Sequence, residues 1–542
     1  MVRRLRRGTL EVRLLGIGAA AVAALLLGGA RGGTVEAEKP RLDLLVLGGQ
    51  VLDGTGADPR RADVGIAGDR IVFVGDARAE GLAAGRTIDA TGLYVAPGFI
   101  DPHTHATADL ASDDAGPRAN LNYLAQGVTT VLIGNDGDGR PDVKALLDGA
   151  ERKGVGVNVA AFVGFGAVRR QVVGEAARAP TADELERMKA LVAKGMCEGA
   201  VGFSTGLYYA PQSFSKTPEV IALAREAAVR GGVYDSHLRD EGSDNIGLIA
   251  AVEEALTIGR EAGMPVHIAH IKALGVDVHG QAPTIIALIE AERARGREVT
   301  ADQYPWAASG TRVSNALMPR WAMDGGKDAL KARLADPALR ERLLPEIADN
   351  LRRRGGPGSL LLTSGSHTGK RLAEIAAAWG VDPVEAAVRV VREGDAAVAS
   401  FNMADADIAT FAVRPWVMTG SDGSAGHPRK YGTFPLAWTR FVTGGRLMTP
   451  AQFVRRSSGF TADSLRIADR GYLRPGQYAD VIAFDPNTFS AQADYEHPTR
   501  LSTGVRWAFV NGRPAIEDGR PTFTLAGKGL RRPVQPEWKC PA

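Results

Sequence analysis

A chain of 542 residues that is 45% hydrophobic and 23% charged has ample apolar material for a large core and lacks the polar bias of a disordered chain. Its net charge of +3 is concentrated at the start, where Arg3, Arg4, Arg6, Arg7, Arg13 and Arg31 face one acid, Glu11; the remainder is close to neutral, which argues against a nucleic acid or other polyanionic partner. The two cysteines, Cys197 and Cys540, lie far apart and outside any CxxC pair, so a disulfide framework is excluded, no single bond between them is expected, and Cys197 reads as a small buried hydrophobe.

Residues 1–37 read as a signal peptide. A basic stretch from Arg3 to Arg13 precedes an apolar run from Leu14 to Leu27, and Gly28-Gly29-Ala30 or Val35-Glu36-Ala37 then offers small residues for cleavage. Arg6-Arg7 fits a twin-arginine signal. The apolar run is short for a membrane span. The expectation is therefore an exported protein, periplasmic or extracellular, with no stable membrane span after processing; an uncleaved anchor is the alternative.

Residues 42–92 contain short β-like runs (Leu44–Leu47, Val51–Leu52, Val64–Ile66, Ile71–Val74) separated by Gly and Asp turns, and the pattern returns within 462–520 at Ala479–Phe484 and Val505–Val510. Two β segments flanking one long α/β region predict a small β-sandwich domain built from both chain ends. Between them, over 93–461, short apolar strands alternate with helical stretches, the pattern of a parallel sheet. Strands are predicted to end near His103, Asn135, Gly164, Thr205, His237, His270, Tyr304 and Asp422. Eight ends predict a (β/α)8 barrel of the TIM type. A mostly helical insertion, about 312–412, precedes the last strand and is placed to cover the barrel mouth.

In such a barrel the C-terminal strand ends form the floor of the site, and four of the nine histidines fall there. His103 and His105, at i and i+2 of a strand, would point to one side. Two imidazoles on one face hold a divalent metal such as zinc. His237 and His270 each end a later strand and complete a metal-ligating set, whereas His267, three residues before His270, faces away and reads as structural. Asp422, in Gly420-Ser421-Asp422-Gly423, reads either as a turn residue or as the acid that moves a proton between the attacking water and the leaving nitrogen.

The set PGFIDPHTH (97–105), GVTTVLIGN (127–135), GFSTGLYYAP (202–211), SHLRDEG (236–242), AHIKALG (269–275), DQYPW (302–306), GSDG (420–423) with HPRKYGTF (427–434), RPGQYADVIAFDP (474–486) and GKGLRR (527–532) resembles the D-aminoacylase, or N-acyl-D-amino-acid deacylase, family of the amidohydrolase superfamily. The resemblance runs from about residue 42 to 532. It implies metal-dependent hydrolysis of N-acyl-D-amino acids, one or two divalent ions, zinc above all, on His103, His105, His237 and His270, and Asp422 as general acid/base. It also implies a ligand at the end of the second strand, where the family usually has cysteine in a GNCG motif; here Asp136 stands in that place. A carboxylate is a harder donor than a thiolate, which bears on metal affinity and identity. By the same resemblance Tyr209, Lys272, Tyr304 and Arg429 bind the substrate carboxylate, with Arg239 a weaker candidate. The fourth strand end, Gly202–Thr205, offers no lysine for a carbamylated bridge, which weighs against a hydantoinase-type site. The competing readings are a related amidohydrolase acting on another cyclic amide, dipeptide or N-acyl substrate, and a metal-poor binding protein on the same fold.

Overall fold

The computed structural model describes residues 41–541, so the segment read as a signal lies outside the described residues. Eight parallel strands follow one another along the chain. They are β1 (Phe99–Asp101), β2 (Val128–Ile133), β3 (Asn158–Ala161, extended by Val163–Gly164), β4 (Gly202–Gly206), β5 (Val233–His237), β6 (Val266–Ile268), β7 (Val299–Gln303) and β8 (Val417–Thr419). β1 to β3 pair in order, and the extension of β3 pairs onward through β4 to β8. The seam between β8 and β1 is zipped just beyond the strand ends, where Thr104 bridges Gly423 in parallel. There Asp422 N donates to His103 O at 2.9 Å and His105 N to Gly423 O at 3.2 Å. This is the expected barrel.

The strands are buried almost throughout, as a parallel sheet covered on both faces requires. Ile100, Leu132, Phe162, Val201, Val233 and Met418 cluster with one another. The larger apolar core lies between the strands and the helices around them. Helix Ala182–Cys197 shows the local logic. Thr181 caps it in a box with Glu184, while Met188, Val192 and Met196, spaced by four, are its buried stripe.

The two chain ends meet in one mixed sheet, not in a sandwich of two separate sheets. Its strands run in the order Arg520–Pro521, Arg513–Glu517, Val505–Val510, Val481–Phe484, Tyr94–Pro97, Leu42–Val51, Arg60–Ala67 and Arg70–Gly75, with Ala84–Asp89 also beside Leu42–Val51. Val46, Val64, Ile71, Ile88, Val481 and Phe509 come from strands far apart in that order yet share one core. The sheet therefore curls over its own apolar face, which a period-two sequence pattern cannot distinguish from two facing sheets.

The insertion between β7 and β8 is mostly helical, as expected, and adds one small sheet. Ala308–Arg312, Ala397–Phe401 and Leu360–Leu362 form an antiparallel sheet, and five helices from Val313 to Glu393 pack with its strands around a separate core that includes Leu317, Ile347, Leu372 and Val391. The C-terminal tail crosses the start of β3, with Val159 N on Lys528 O at 2.8 Å and Leu530 N on Val159 O at 2.7 Å. It ends in a disulfide between Cys540 and Cys197. That corrects both cysteine expectations: Cys197 is half-buried and bonded. The 343-residue separation that argued against the bond is spanned because the tail returns across the barrel to the helix carrying Cys197.

Candidate metal centre

His103 and His105 do not sit on β1 itself; they follow it, where the chain passes from strand to seam. Their rings still converge, with centroids 5.6 Å apart. The backbone at His103 is held by Asp101, whose Oδ1 accepts from His103 N (3.3 Å) and from Ser421 N (2.9 Å). Burial, countered by those bonds, leaves the Asp101 carboxyl pushed up to about 7. His237 ends β5, and His270 lies two residues past β6, its backbone N–H donated to Asp302 Oδ1 at 2.9 Å. Asp302 also faces His267 Nε2 at 3.0 Å, so His267 has the structural place expected of it.

Asp136 stands at the centre. Its Oδ1 is 3.3 Å from His103 Nε2, 3.5 Å from His237 Nδ1 and 3.4 Å from His270 Nε2, while Oδ2 is 3.5 Å from His105 Nε2. The donor atoms of His103, His105, Asp136 and Asp422 lie within 4.8 Å of one another, and so do those of Asp136, His237 and His270. One carboxylate thus belongs to two overlapping sets of ligand atoms. Burial pushes the Asp136 carboxyl up, but His103 and His237 outweigh it and hold the pKa well below the ordinary value.

The turn bearing Asp136 is built for this. Asp136 has φ of 58°, in the left-handed region. Gln212 clamps the turn, donating from Nε2 to Asp136 O at 2.8 Å and accepting from Gly206 N at 2.7 Å. A Cβ at Gly137, itself at φ of 75°, would fall 2.1 Å from Gln212 Oε1, so glycine is required there. His270 and Asp422 also have positive φ, 35° and 47°. Three donors on left-handed backbone mark a site where local strain is held in place by the surroundings.

Asp422 Oδ1 lies 3.1 Å from His105 Nε2, and Oδ2 lies 2.7 Å from Arg429 Nη1. Burial raises this carboxyl's pKa, but Arg429 and His270 overcome that and hold it far below the usual range. Arg429 also stacks 4.8 Å over the Tyr304 ring, whose buried hydroxyl has no hydrogen-bond partner. Tyr209 packs against His237 with centroids 4.7 Å apart. Lys272 is placed differently from a free substrate-binding cation: its Nζ is 2.5 Å from Glu241 Oε1 and 2.7 Å from His270 Nδ1. Arg239 is turned onto Glu254, at 2.7 Å. Above these groups opens a cavity of about 770 Å³, whose walls include His105, Asp136, Tyr209, Asp422 and Arg429 below and Arg312 from the insertion. Glu241 and Gln212 carried no assignment in the sequence; Glu241 had a faint signal, four residues after His237 within SHLRDEG.

Known proteins share this chain's pattern along most of its length. The model of the Amidohydrolase family matches residues 86–516. A D-aminoacylase of Alcaligenes xylosoxydans xylosoxydans is 32% identical, the match covering 92% of this chain and 99% of that one. An N-acyl-D-glutamate deacylase of the same organism is 34% identical over 91% of this chain and 97% of its own. The crystal structure of the N-acyl-D-glutamate deacylase from Bordetella bronchiseptica, complexed with zinc and a phosphonate mimic of the tetrahedral intermediate, is similar with a TM-score of 0.76 at 32% identity, over 91% of this chain and 100% of that one.

Proposed function

We propose, from the premise that this chain belongs to the amidohydrolase family and to its D-aminoacylase branch, that it hydrolyses the amide bond of N-acyl-D-amino acids to a carboxylate and a free D-amino acid. The observation that carries the reading is the pair of ligand sets sharing Asp136 on the cavity floor, with Asp422 in one of them and Arg429 behind Asp422. These residues fit divalent ions. His103 Nε2 and Asp136 Oδ1 are buried without hydrogen bonds, which is costly unless a cation satisfies them. Imidazole and carboxylate donors suit zinc. His103, His105, Asp136 and Asp422 would hold one ion, and Asp136, His237 and His270 a second. When bound, such an ion acidifies water and polarises the scissile carbonyl.

The chain's own residues supply the rest. Asp422 takes a proton from the attacking water at Oδ1 and returns it to the leaving nitrogen. Arg429 keeps Asp422 ionised and aimed. Tyr209, Tyr304 and Arg429 border the floor and provide donors to the substrate carboxylate, while Lys272, expected among them, is engaged by Glu241 and His270. The test is amine release from a panel of N-acetyl D- and L-amino acids by zinc-loaded enzyme. Turnover of D substrates in preference to L is expected; no amine release from any D substrate by the zinc-loaded enzyme would overturn the reading.

We further propose that the protein acts outside the cytoplasm. The amino-terminal sequence pattern supports this, and so does the Cys197–Cys540 disulfide, since such bonds persist in oxidising compartments. Among the described residues no helix is long and apolar enough to cross a membrane. Replacing Arg6-Arg7 by Lys-Lys is expected to abolish export through a twin-arginine route; accumulation of the intact precursor in the cytoplasm of wild-type cells would count against export by any route.

A further inference from the structure

The two histidines of the second ligand set are backed by a single acidic residue. Glu241 is buried in the loop after β5. Its Oε1 lies 3.0 Å from His270 Nδ1, and its Oε2 lies 3.7 Å from His237 Nε2. The opposite nitrogens, His270 Nε2 and His237 Nδ1, are 2.9 Å from each other and face Asp136 Oδ1. Asp136 therefore stands in front of both rings and Glu241 behind both.

A neutral imidazole has one lone pair and one N–H, and only the nitrogen with the lone pair binds a cation. Lys272 makes the choice of tautomer consequential. Its ammonium is 2.7 Å from His270 Nδ1. Lys272 has only hydrogens to offer, so acting alone it would favour a lone pair on Nδ1 and put the ring N–H on Nε2, pointing into the metal centre. Glu241 Oε1, which accepts from Lys272 Nζ at 2.5 Å and lies 3.0 Å from His270 Nδ1, is among the described residues the one group beside that nitrogen able to accept a ring N–H, and so reverses this. The lone pair of His270 is then on Nε2. At His237 the carboxylate lies 3.7 Å from Nε2, beyond hydrogen-bond reach, so its direct hold is on His270 alone.

We propose that Glu241 is a positioning residue that fixes the tautomer of His270, and so presents its Nε2 lone pair to the ion of the second ligand set. Lys272 holds that carboxylate in place, a task separate from contact with substrate. The inference rests on the metal reading above. A carboxylate hydrogen-bonded to the far nitrogen of a ligand histidine orients the ring and raises its basicity.

The experiment uses full-length mature protein stripped by chelation and titrated with Zn²⁺ against a chromophoric competitor, with the visible spectrum of the Co²⁺-loaded form as a second readout. Glu241→Gln is expected to weaken the tightest Zn²⁺ binding about 10- to 100-fold and to change the Co²⁺ spectrum. That variant also leaves a buried ammonium unpaired, so the double variant Glu241→Leu with Lys272→Met guards against a folding failure. Replacing a buried ion pair by apolar residues is often neutral for stability. The double variant is expected to melt within a few degrees of wild type and still to bind Zn²⁺ about 10- to 100-fold more weakly. Wild-type affinity and an unchanged Co²⁺ spectrum in the double variant would overturn the proposal, because neutralising Lys272 would then be Glu241's whole role. A wild-type protein that binds neither ion would instead remove the metal reading itself, and this inference with it.

Discussion

Asp422 divides its work between two oxygens, one toward His105 at 3.1 Å and one toward Arg429 at 2.7 Å. Asparagine adopts left-handed backbone readily and matches aspartate in size, so Asp422→Asn should preserve the fold at φ of 47°. It cannot carry the proton, and kcat should fall by about 10²- to 10⁴-fold; a rate within a few-fold of wild type would refute the assignment. Asp136 makes a different prediction because it belongs to both ligand sets. Asp136→Asn tolerates φ of 58° but loses the charge, and Asp136→Ala adds backbone strain. Both should lower the metal retained per chain on elemental analysis, with activity falling in parallel. If Asp136 merely closed a turn, both variants would keep their full metal.

The insertion meets the barrel floor around one cavity, and a small knot of bonds fixes the part of its wall next to Arg312. Asp395 accepts from Arg312 Nε at 2.7 Å, from Ser314 N at 3.1 Å and from Ser314 Oγ at 2.8 Å, and both Arg312 and Asp395 line the cavity. Asp395 has φ of 63°, which asparagine accepts. Asp395→Asn should cost about 1–3 kcal/mol locally and loosen that wall. KM for N-acyl substrates should rise several-fold while kcat stays within about two-fold, since none of these atoms lies in the ligand sets. An equal drop in kcat would place Asp395 in the chemistry instead.

The curled sheet and the barrel share one buried polar joint. Arg470 pairs with Asp480, both nearly inaccessible, and Asp480 also accepts from Asn158 Nδ2 at 2.9 Å on β3 and from Asn511 N at 2.8 Å. Asn511 reaches back to Asn158 Oδ1 and to Ala526 O of the tail, each at 2.8 Å. Arg470→Met would leave a carboxylate buried and unpaired, at a cost of about 3–5 kcal/mol. The expected result is a lower Tm in calorimetry, with sheet and barrel still melting together because Asp480 joins them. A separate early transition would mean that the sheet unfolds independently of this joint.

Much of the molecule was legible because its information is local. A continuous apolar run such as Val128–Ile133 specifies a strand buried on both faces, and eight such runs alternating with helices specify the barrel. His103, His105, His237, His270 and Asp422 were all picked out as strand-end residues, since barrel topology gathers the C-terminal ends of its strands at one mouth. What sequence alone left undecided depends on chain segments distant in sequence meeting in space. The sheet's curl, the Cys197–Cys540 bond and the joint at Asp480 each need such a meeting. The direction in which the His270 imidazole offers its lone pair belongs with these. It is set by Glu241 and Lys272, which approach from the loops after two different strands, and residue type and spacing do not encode which nitrogen of a ring faces which neighbour.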